Sequence, residues 1–551
     1  MAAEEGASRG QLARRAGIVA LAVLSSRILG LVREQVFAIA FGAGRVLDAY
    51  VTAFRIPNLF RDLFAEGALS AAFVATFTQT LERQGEARAW RLASLVVNTL
   101  AIVVGTLCLV GIVLAPAITH AIAPGFAESP GKAELTIRLT RIMFPFLLLV
   151  ALAAVAMGVL NSRQHFGLPA AASAFFNLGS VVGGLACAGW LAPGYLGGVL
   201  SEISGGVPST EDPALAAHAI TGMAIGTLLG GFLQLGVQLP SLRTVGFRWS
   251  PVLALRDPGL HQVLRLMGPA TLGAAAVQVN VFVNNNFASY LGDGAVSWLN
   301  VAFRFMQLPI GLFGVAIGTV TLPVVSRHAA HGQQQAMRDA LRQSLELVAI
   351  LCCPAAAGLA LFGVPIVGLV YEHGRFTAAD TAAAAAALAG YALGLAGYAG
   401  IKVVAPAFYA LDDARTPARV AGLSILTNLG LNWLLVRGLG FGHVGLALST
   451  SLVALANFAI LFGMLRRRLG SLGPGPAATL ARVLVATAIM LGVAGAVDHV
   501  ISSAVSIRAV ALHALRVAID LPVAAVAYWT ACHCLGVPLP RLARRQHFPR
   551  P

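Results

Sequence analysis

The sequence predicts an all-α polytopic membrane protein of about fourteen transmembrane helices. These form two six-helix lobes, related as parallel repeats around a central cavity, with two further helices at the C-terminus. Three observations predict it. Apolar residues make up 58% of the 551 and charged ones 11%, with a mean hydropathy of +0.79, so water cannot be the solvent for most of the surface. Apolar stretches long enough to cross about 30 Å of hydrocarbon as a helix follow one another nearly end to end, without the alternation of a barrel strand. The first half of the chain also recurs in the second, at an offset of about 249 residues.

Spans are predicted near 16–40, 46–80, 93–123, 135–160, 170–192, 215–239, 266–291, 295–325, 345–371, 381–409, 418–440, 443–465, 478–501 and 508–535. The second window is long and holds Pro57 at its middle, which predicts a broken or strongly tilted helix. The first apolar segment lacks a small-residue cleavage site and contains Arg27 and Arg33, so no cleavable signal peptide is expected.

The net charge of +15 raises nucleic acid as a partner, but its distribution excludes that class. Segments on one side of the predicted spans hold 24 Lys and Arg, those on the other 7. This positive-inside bias predicts that both termini are cytoplasmic, with an even number of spans. Runs such as Arg466-Arg467-Arg468 then orient the chain or touch anionic lipid. The six cysteines fall inside predicted spans, and Cys532-His533-Cys534 reads as buried packing rather than a metal site.

The repeat is carried by matches in common order. Ala53-Phe54-Arg55-Ile56-Pro57 parallels Ala302-Phe303-Arg304 with Leu308-Pro309, and Leu63-Phe64 parallels Leu312-Phe313. Phe41-Gly42-Ala43-Gly44 parallels Leu291-Gly292-Asp293-Gly294, and Pro124-Gly125-Phe126 parallels Gly374-Arg375-Phe376. Two copies give a first lobe over 1–245 and a second over 246–470, leaving 471–551 for two added spans and a basic cytoplasmic tail. In transporters built this way, substrate sites lie between the halves, which rock to expose them alternately.

Seven cations fall within predicted spans: Arg27, Arg33, Arg55, Arg61, Arg141, Arg304 and Lys402. A charge in hydrocarbon costs several kcal/mol, so such residues face a cavity or a partner. Four of them sit in the first two spans, and Arg304 is the cation that repeats Arg55, so a basic cavity suited to an anion is expected. Guanidinium binds two phosphate oxygens at once, which makes a phosphorylated substrate the best match. The acids nearby are Glu34, Asp62 and Glu66, with Asp48 at a rim. A structural reading stands beside this one. Asp48, Arg55 and Asp62 are spaced by seven and would form an ion ladder, and Arg27 and Glu34 could pair in the same way. Arg141 and Lys402 lie near span ends, where long side chains snorkel. Asn280, Asn284-Asn285-Asn286, Thr427, Asn428 and Asn432 suit either a cation or hydrogen bonding between helices. No P-loop, dinucleotide motif, HExxH or nucleophile elbow is present, which argues against an enzyme or an ATP motor.

Ser26-Arg27-Ile28-Leu29-Gly30-Leu31-Val32-Arg33-Glu34, Asp48-Ala49, Pro57-Asn58-Leu59, Arg61 and Phe64-Ala65-Glu66-Gly67-Ala68 resemble the N-terminal signature of the MurJ (MviN) lipid II flippase family. Ala123-Pro124-Gly125-Phe126, Met267-Gly268-Pro269-Ala270, Gly374-Arg375-Phe376-Thr377 and Lys402-Val403 extend the resemblance along the chain. It implies the fold of the multidrug/oligosaccharidyl-lipid/polysaccharide exporter superfamily. It also implies lipid II, the undecaprenyl-diphosphate-linked peptidoglycan precursor, as the substrate moved from the inner to the outer leaflet. By the same resemblance Arg27, Arg33, Arg304 and Asp48 are functionally important, as is Glu34 near the diphosphate; with them Arg55 and Arg61 are expected to line the cavity and Glu66 to serve, like Asp48 and Glu34, as a cavity acid or gate. The added helices then hold the polyprenyl tail. Two departures stand out: Asp62 occupies a position that is often basic, and Phe303 stands where an acid commonly precedes the arginine. No cofactor is expected. A sodium or proton gradient, or the membrane potential, would reset the empty carrier, and lipids and cell-wall synthesis proteins are the expected partners. A flippase for another polyprenyl-diphosphate glycan would use the same arginines. A cation-coupled drug exporter would want acids in its cavity instead.

Overall fold

The computed structural model describes residues 2–64, 68–204, 212–471, 473, 475–504 and 508–539, and among these it is helical with no strand. The chain divides into two compact units, Met1–Ser297 with His373–Thr377, and Trp298–Glu372 with Ala378–Pro551.

The first unit holds α1 (Ala2–Phe41), α2 (Arg45–Phe64), α3 (Ala68–Gln84), α4 (Glu86–Val113), α5 (Ala115–Ile122), α6 (Lys132–Met143), α7 (Phe146–Ser162), α8 (Gly167–Leu191), α9 (Tyr195–Ile203), α10 (Pro213–Gly236), α11 (Leu239–Thr244) and α12 (Pro258–Ser289). After the first residues of α13 (Ala295–Pro309) the second unit begins. It continues with a π-helical turn at Ile310–Val315, α14 (Ala316–Ala330), α15 (Gln334–Leu361), α16 (Gly363–Tyr371), α17 (Ala378–Ala392), α18 (Leu395–Ala410), α19 (Arg415–Asn432), a second π-helical turn at Trp433–Gly438, α20 (Gly442–Leu469), α21 (Gly475–Ala504) and α22 (Ala509–Cys534).

Eleven helical stretches among the described residues are long and apolar enough to cross a membrane, and they fall on eleven of the fourteen predicted windows. The other three windows are helical too, in α1, α2–α3 and α12. All three hold polar residues: Arg27, Arg33 and Glu34 in the first, Asp48, Arg55 and Arg61 in the second, and Gln278, Asn280 and Asn284 to Asn286 in the third. Pro57 does not end its helix: α2 runs on to Phe64 with the ring inside it.

Small residues let helices approach where lipid gives no hydrophobic drive for association. Gly222, Gly226 and Gly230, four residues apart on α10, lie against α8 so closely that a Cβ on Gly226 would sit 2.2 Å from Gly184 Cα. In the second unit Gly394, just before α18, and Gly397 within it approach Ser451 and Ala454 of α20 closely, and Gly400 faces the ring of Phe458. An aromatic file of Phe73, Phe77 and Trp90, with ring centroids 5.5 and 5.6 Å apart, joins α3 to α4.

Repeat-equivalent loops make equivalent contacts. Gly125 follows α5 and donates its N–H to Ser289 Oγ at the end of α12 (3.1 Å), while Arg375 donates its N–H to Ile39 O near the end of α1 (3.0 Å). A Cβ on Gly125 would lie 2.6 Å from the Ser289 backbone, and one on Gly374 2.6 Å from Ile39 O. Gly374, like Gly42 opposite it, holds a positive φ that favours glycine.

Candidate functional site

The spanning cations of the first unit are placed by α1 and α2. Arg33 is 9% exposed, with its guanidinium over the rings of Phe54 (5.6 Å) and Phe176 (5.2 Å), and its Nη2 is 3.7 Å from Glu34 Oε1. Aromatic faces hold a guanidinium by cation–π attraction and leave its in-plane N–H groups directed outward. One and a half turns earlier Arg27 is exposed. Asn177 of α8 fixes this part of α1 by donating to Ser26 O (3.1 Å) and standing against Gly30. Arg55 donates to Asn285 Oδ1 on α12 (2.8 Å), and Asn285 in turn donates to Ile122 O (3.3 Å). Arg61 is half-buried in the last turn of α2. Glu66 lies outside the described residues.

Asp48, expected as a cavity or gating acid, is wholly buried in the first turn of α2 and accepts four hydrogen bonds. Lys132 Nζ (2.9 Å) and the Gly294 N–H (2.8 Å) reach one oxygen; the N–H (2.9 Å) and hydroxyl (2.7 Å) of Ser297 reach the other. The carboxylate therefore caps the first turn of α13, where unpaired N–H groups concentrate positive potential. Ser297 is also the residue that the repeat offset pairs with Asp48, so two equivalent positions touch. Lys132, 1% exposed, bridges Asp48 to Asp293 (2.7 Å) and lies 4.2 Å from the Phe126 ring centroid. The Asp48 end of the expected ion ladder is thus occupied by Lys132, a residue that sequence position alone assigns to a membrane flank.

A second cluster escaped the sequence reading. Arg375 forks onto Glu202 (3.2 and 3.4 Å) with its guanidinium 4.5 Å from the Tyr195 ring centroid, and Tyr195 donates to Ala40 O (2.9 Å). The Gly374-Arg375-Phe376 run was a visible signal, but partners 173 and 180 residues away were not. At the start of α12, Asp257 takes Arg88 at 2.7 Å beside a cavity of about 270 Å³ that Gln79, Arg83 and Gln262 help line.

In the second unit Arg304 is exposed on α13, while Phe303 packs edge-on against Tyr391 (5.5 Å). That aromatic contact accounts for an apolar residue beside the arginine. Lys402 is exposed, and Arg141, in the first unit, is exposed and donates to Ile112 O (3.3 Å). Asn432 donates to Asn428 (3.2 Å) and accepts from Ser449, so the asparagines of α19 bond within and between helices.

Charged side chains inside stacked apolar helices, in a chain with internal repeats, define a multi-pass membrane protein of the transporter kind. Its fold is shared with solved transporters: a lipid II flippase MurJ in an inward-closed conformation superposes with a TM-score of 0.72 at 24% identity, over 94% of this chain and 99% of that one. An inward-facing multidrug resistance MATE transporter of the MOP superfamily gives 0.64 at 15% identity, over 81% and 95%. The family profile described as lipid II flippase MurJ matches residues 37–513, and the chain belongs to that family of transporters. The chain is 37% identical to the lipid II flippase MurJ of Burkholderia cenocepacia over 82% of its length and 83% of that protein's, and 33% identical to the probable lipid II flippase MurJ of Vibrio cholerae over 81% of each. It is accordingly a multi-pass inner-membrane protein.

Proposed function

We propose that this chain carries lipid II from the inner to the outer leaflet of the cytoplasmic membrane by alternating access, with both termini in the cytoplasm. What carries the reading is membership of the lipid II flippase family across residues 37–513, joined to a guanidinium, Arg33, held on two aromatic rings within a spanning helix. In this proposal Arg27 and Arg33 neutralise the diphosphate, Arg304 supplies further positive charge, and Arg55 and Arg61 set the potential around them. Glu34 and Glu66 balance those charges when substrate is absent, and Asp48 acts as a gate element through its bonds to Lys132 and Ser297. The polyprenyl tail stays in lipid. Resetting draws on the membrane potential or on a sodium or proton gradient, since one charge moved through 100 mV exchanges about 2.3 kcal/mol.

The test is depletion of the protein in its host, with lipid II on each leaflet measured by an added enzyme that reaches only the outer one. Accumulation on the inner leaflet, relieved by the wild-type chain and not by Arg33→Ala, is the expected result. Normal outward movement after depletion in a host stripped of other flippases would overturn the proposal.

A further inference from the structure

We propose that Asp498 and Asp520 share one bound proton across the seam between α21 and α22, with Arg516 as their counter-charge. Asp520 lies in the middle of α22 and is fully excluded from solvent, and neither of its carboxyl oxygens receives an N–H or O–H donor. What comes within hydrogen-bonding reach of it is another carboxyl, that of Asp498 on α21. Two carboxylates are acceptors only, so a contact between them is bonding only when a proton stands between the oxygens. Asp498 is itself clasped by Arg516, Nε at 2.6 Å and Nη2 at 2.8 Å, a bidentate pair that fixes its orientation and leaves Asp520 as the group without a partner. With the proton bound the cluster is neutral, two carboxyls sharing one negative charge against one guanidinium. Without it, a net negative charge is buried among apolar helices, which is the arrangement such interiors exclude.

Among the described residues, the charged groups on the helices packed against this seam are few. α22 packs on α21, α16 and α15. From α21 the facing groups are Asp498 and, beside it, His499. From the end of α16, Glu372 is taken by His513, two turns before Asp520 (3.2 Å). On α15 the charges are Arg338, Asp339, Arg342 and Glu346, and Glu346 stands at the far end of α21, against Gly475. Asp498 keeps 17% of its side chain exposed and lies near the junction of the two helices, so it is the point through which water on that face delivers the proton to Asp520. Loss of the proton sets two carboxylates against each other across the seam and loosens the helix pair. The site is independent of the substrate assigned above.

Infrared difference spectroscopy on the full chain in lipid nanodiscs, labelled with ¹³C-aspartate and titrated with acid and base, tests this. The expected result is a protonated-aspartate carbonyl band at neutral pH that disappears on alkalinisation, is absent in Asp520→Asn and is shifted in Asp498→Asn. Asp520→Glu, which keeps the acid, should move the band out of the labelled set. The melting temperature of the wild type should fall as the band disappears, and that of Asp520→Asn should not. Absence of the band in the wild type at every pH where the protein stays folded overturns the proposal, as does a band left unchanged by all three variants.

Discussion

Lys132 shows where single residues escape a reading of sequence. The spanning arginines were legible because a charge within twenty apolar residues is conspicuous, whereas Lys132 sits in a loop-to-helix junction and its carboxylate partners lie 84 and 161 positions away. Removing one partner of a buried ion pair leaves the other charge uncompensated, at a cost of about 3–5 kcal/mol. Lys132→Ala should therefore lower the thermal midpoint of the purified protein sharply, and so should Lys132→Met, which keeps the apolar stem and removes the charge. A Lys132→Met midpoint equal to that of the wild type would mean that the ion pair is not the stabilising element. Asp413, in the turn before α19, makes a different prediction. Hydrogen bonds from the Thr416 hydroxyl and amide, with Arg468 alongside, hold its carboxyl below the usual carboxylate range. A depressed carboxyl stabilises the folded state above its unfolded value, near 3.9, and that contribution disappears as pH falls through the folded one. The melting difference between wild type and Asp413→Asn should then be steady from neutral pH down to about 4 and close only below it, where the unfolded carboxyl also takes up its proton.

At the scale of helices, the apolar stretches were readable and their neighbours were not. Glycines at 222, 226 and 230 announce a close-packed face by their spacing of four, yet nothing in the spacing tells that α8 is what they touch. Because a Cβ at Gly226 would meet the backbone of Gly184 at 2.2 Å rather than a movable side chain, Gly226→Leu must push the two helices apart. Overpacking costs about 1–3 kcal/mol in cores that can adjust, and this seam has no side chain to give way. Gly105→Ala on α4, where nothing lies within 4 Å, should by contrast be neutral or gain up to about 1 kcal/mol from helix propensity. Both are read from unfolding midpoints in the same detergent, and similar effects of the two would show that helix propensity rather than packing decides. Polar residues also sit in the helices of the remaining predicted windows: Arg33 lies in α1 against two aromatic rings, and Arg55 of α2 reaches Asn285 of α12.

The repeat was the feature of the whole chain that sequence exposed best. The repeat aligned Pro124-Gly125-Phe126 with Gly374-Arg375-Phe376, and the structure gives Gly125 and Gly374 each a backbone-tight contact with the end of a long helix, α12 in one case and α1 in the other. An offset near 249 aligned Arg55 with Arg304 but left Arg27, Arg33 and Arg61 without cationic equivalents, so positive charge is unequally divided between the copies. That asymmetry has a consequence for a carrier that moves loaded one way and empty the other. In the proposed cycle the loaded arginines are balanced by diphosphate, whereas in the empty carrier part of their charge is unbalanced and is subject to the membrane field, at about 2.3 kcal/mol per full charge crossing 100 mV. In vesicles with an imposed potassium diffusion potential, outward movement of lipid II should be fastest with the cytoplasmic face negative and slow several-fold when the potential is collapsed. Arg27→Gln and Arg33→Gln should flatten that voltage dependence as well as reduce the rate, because they remove the charges on which the field acts. A rate that falls in the variants while its dependence on potential is unchanged would place the voltage-sensing charge on other residues.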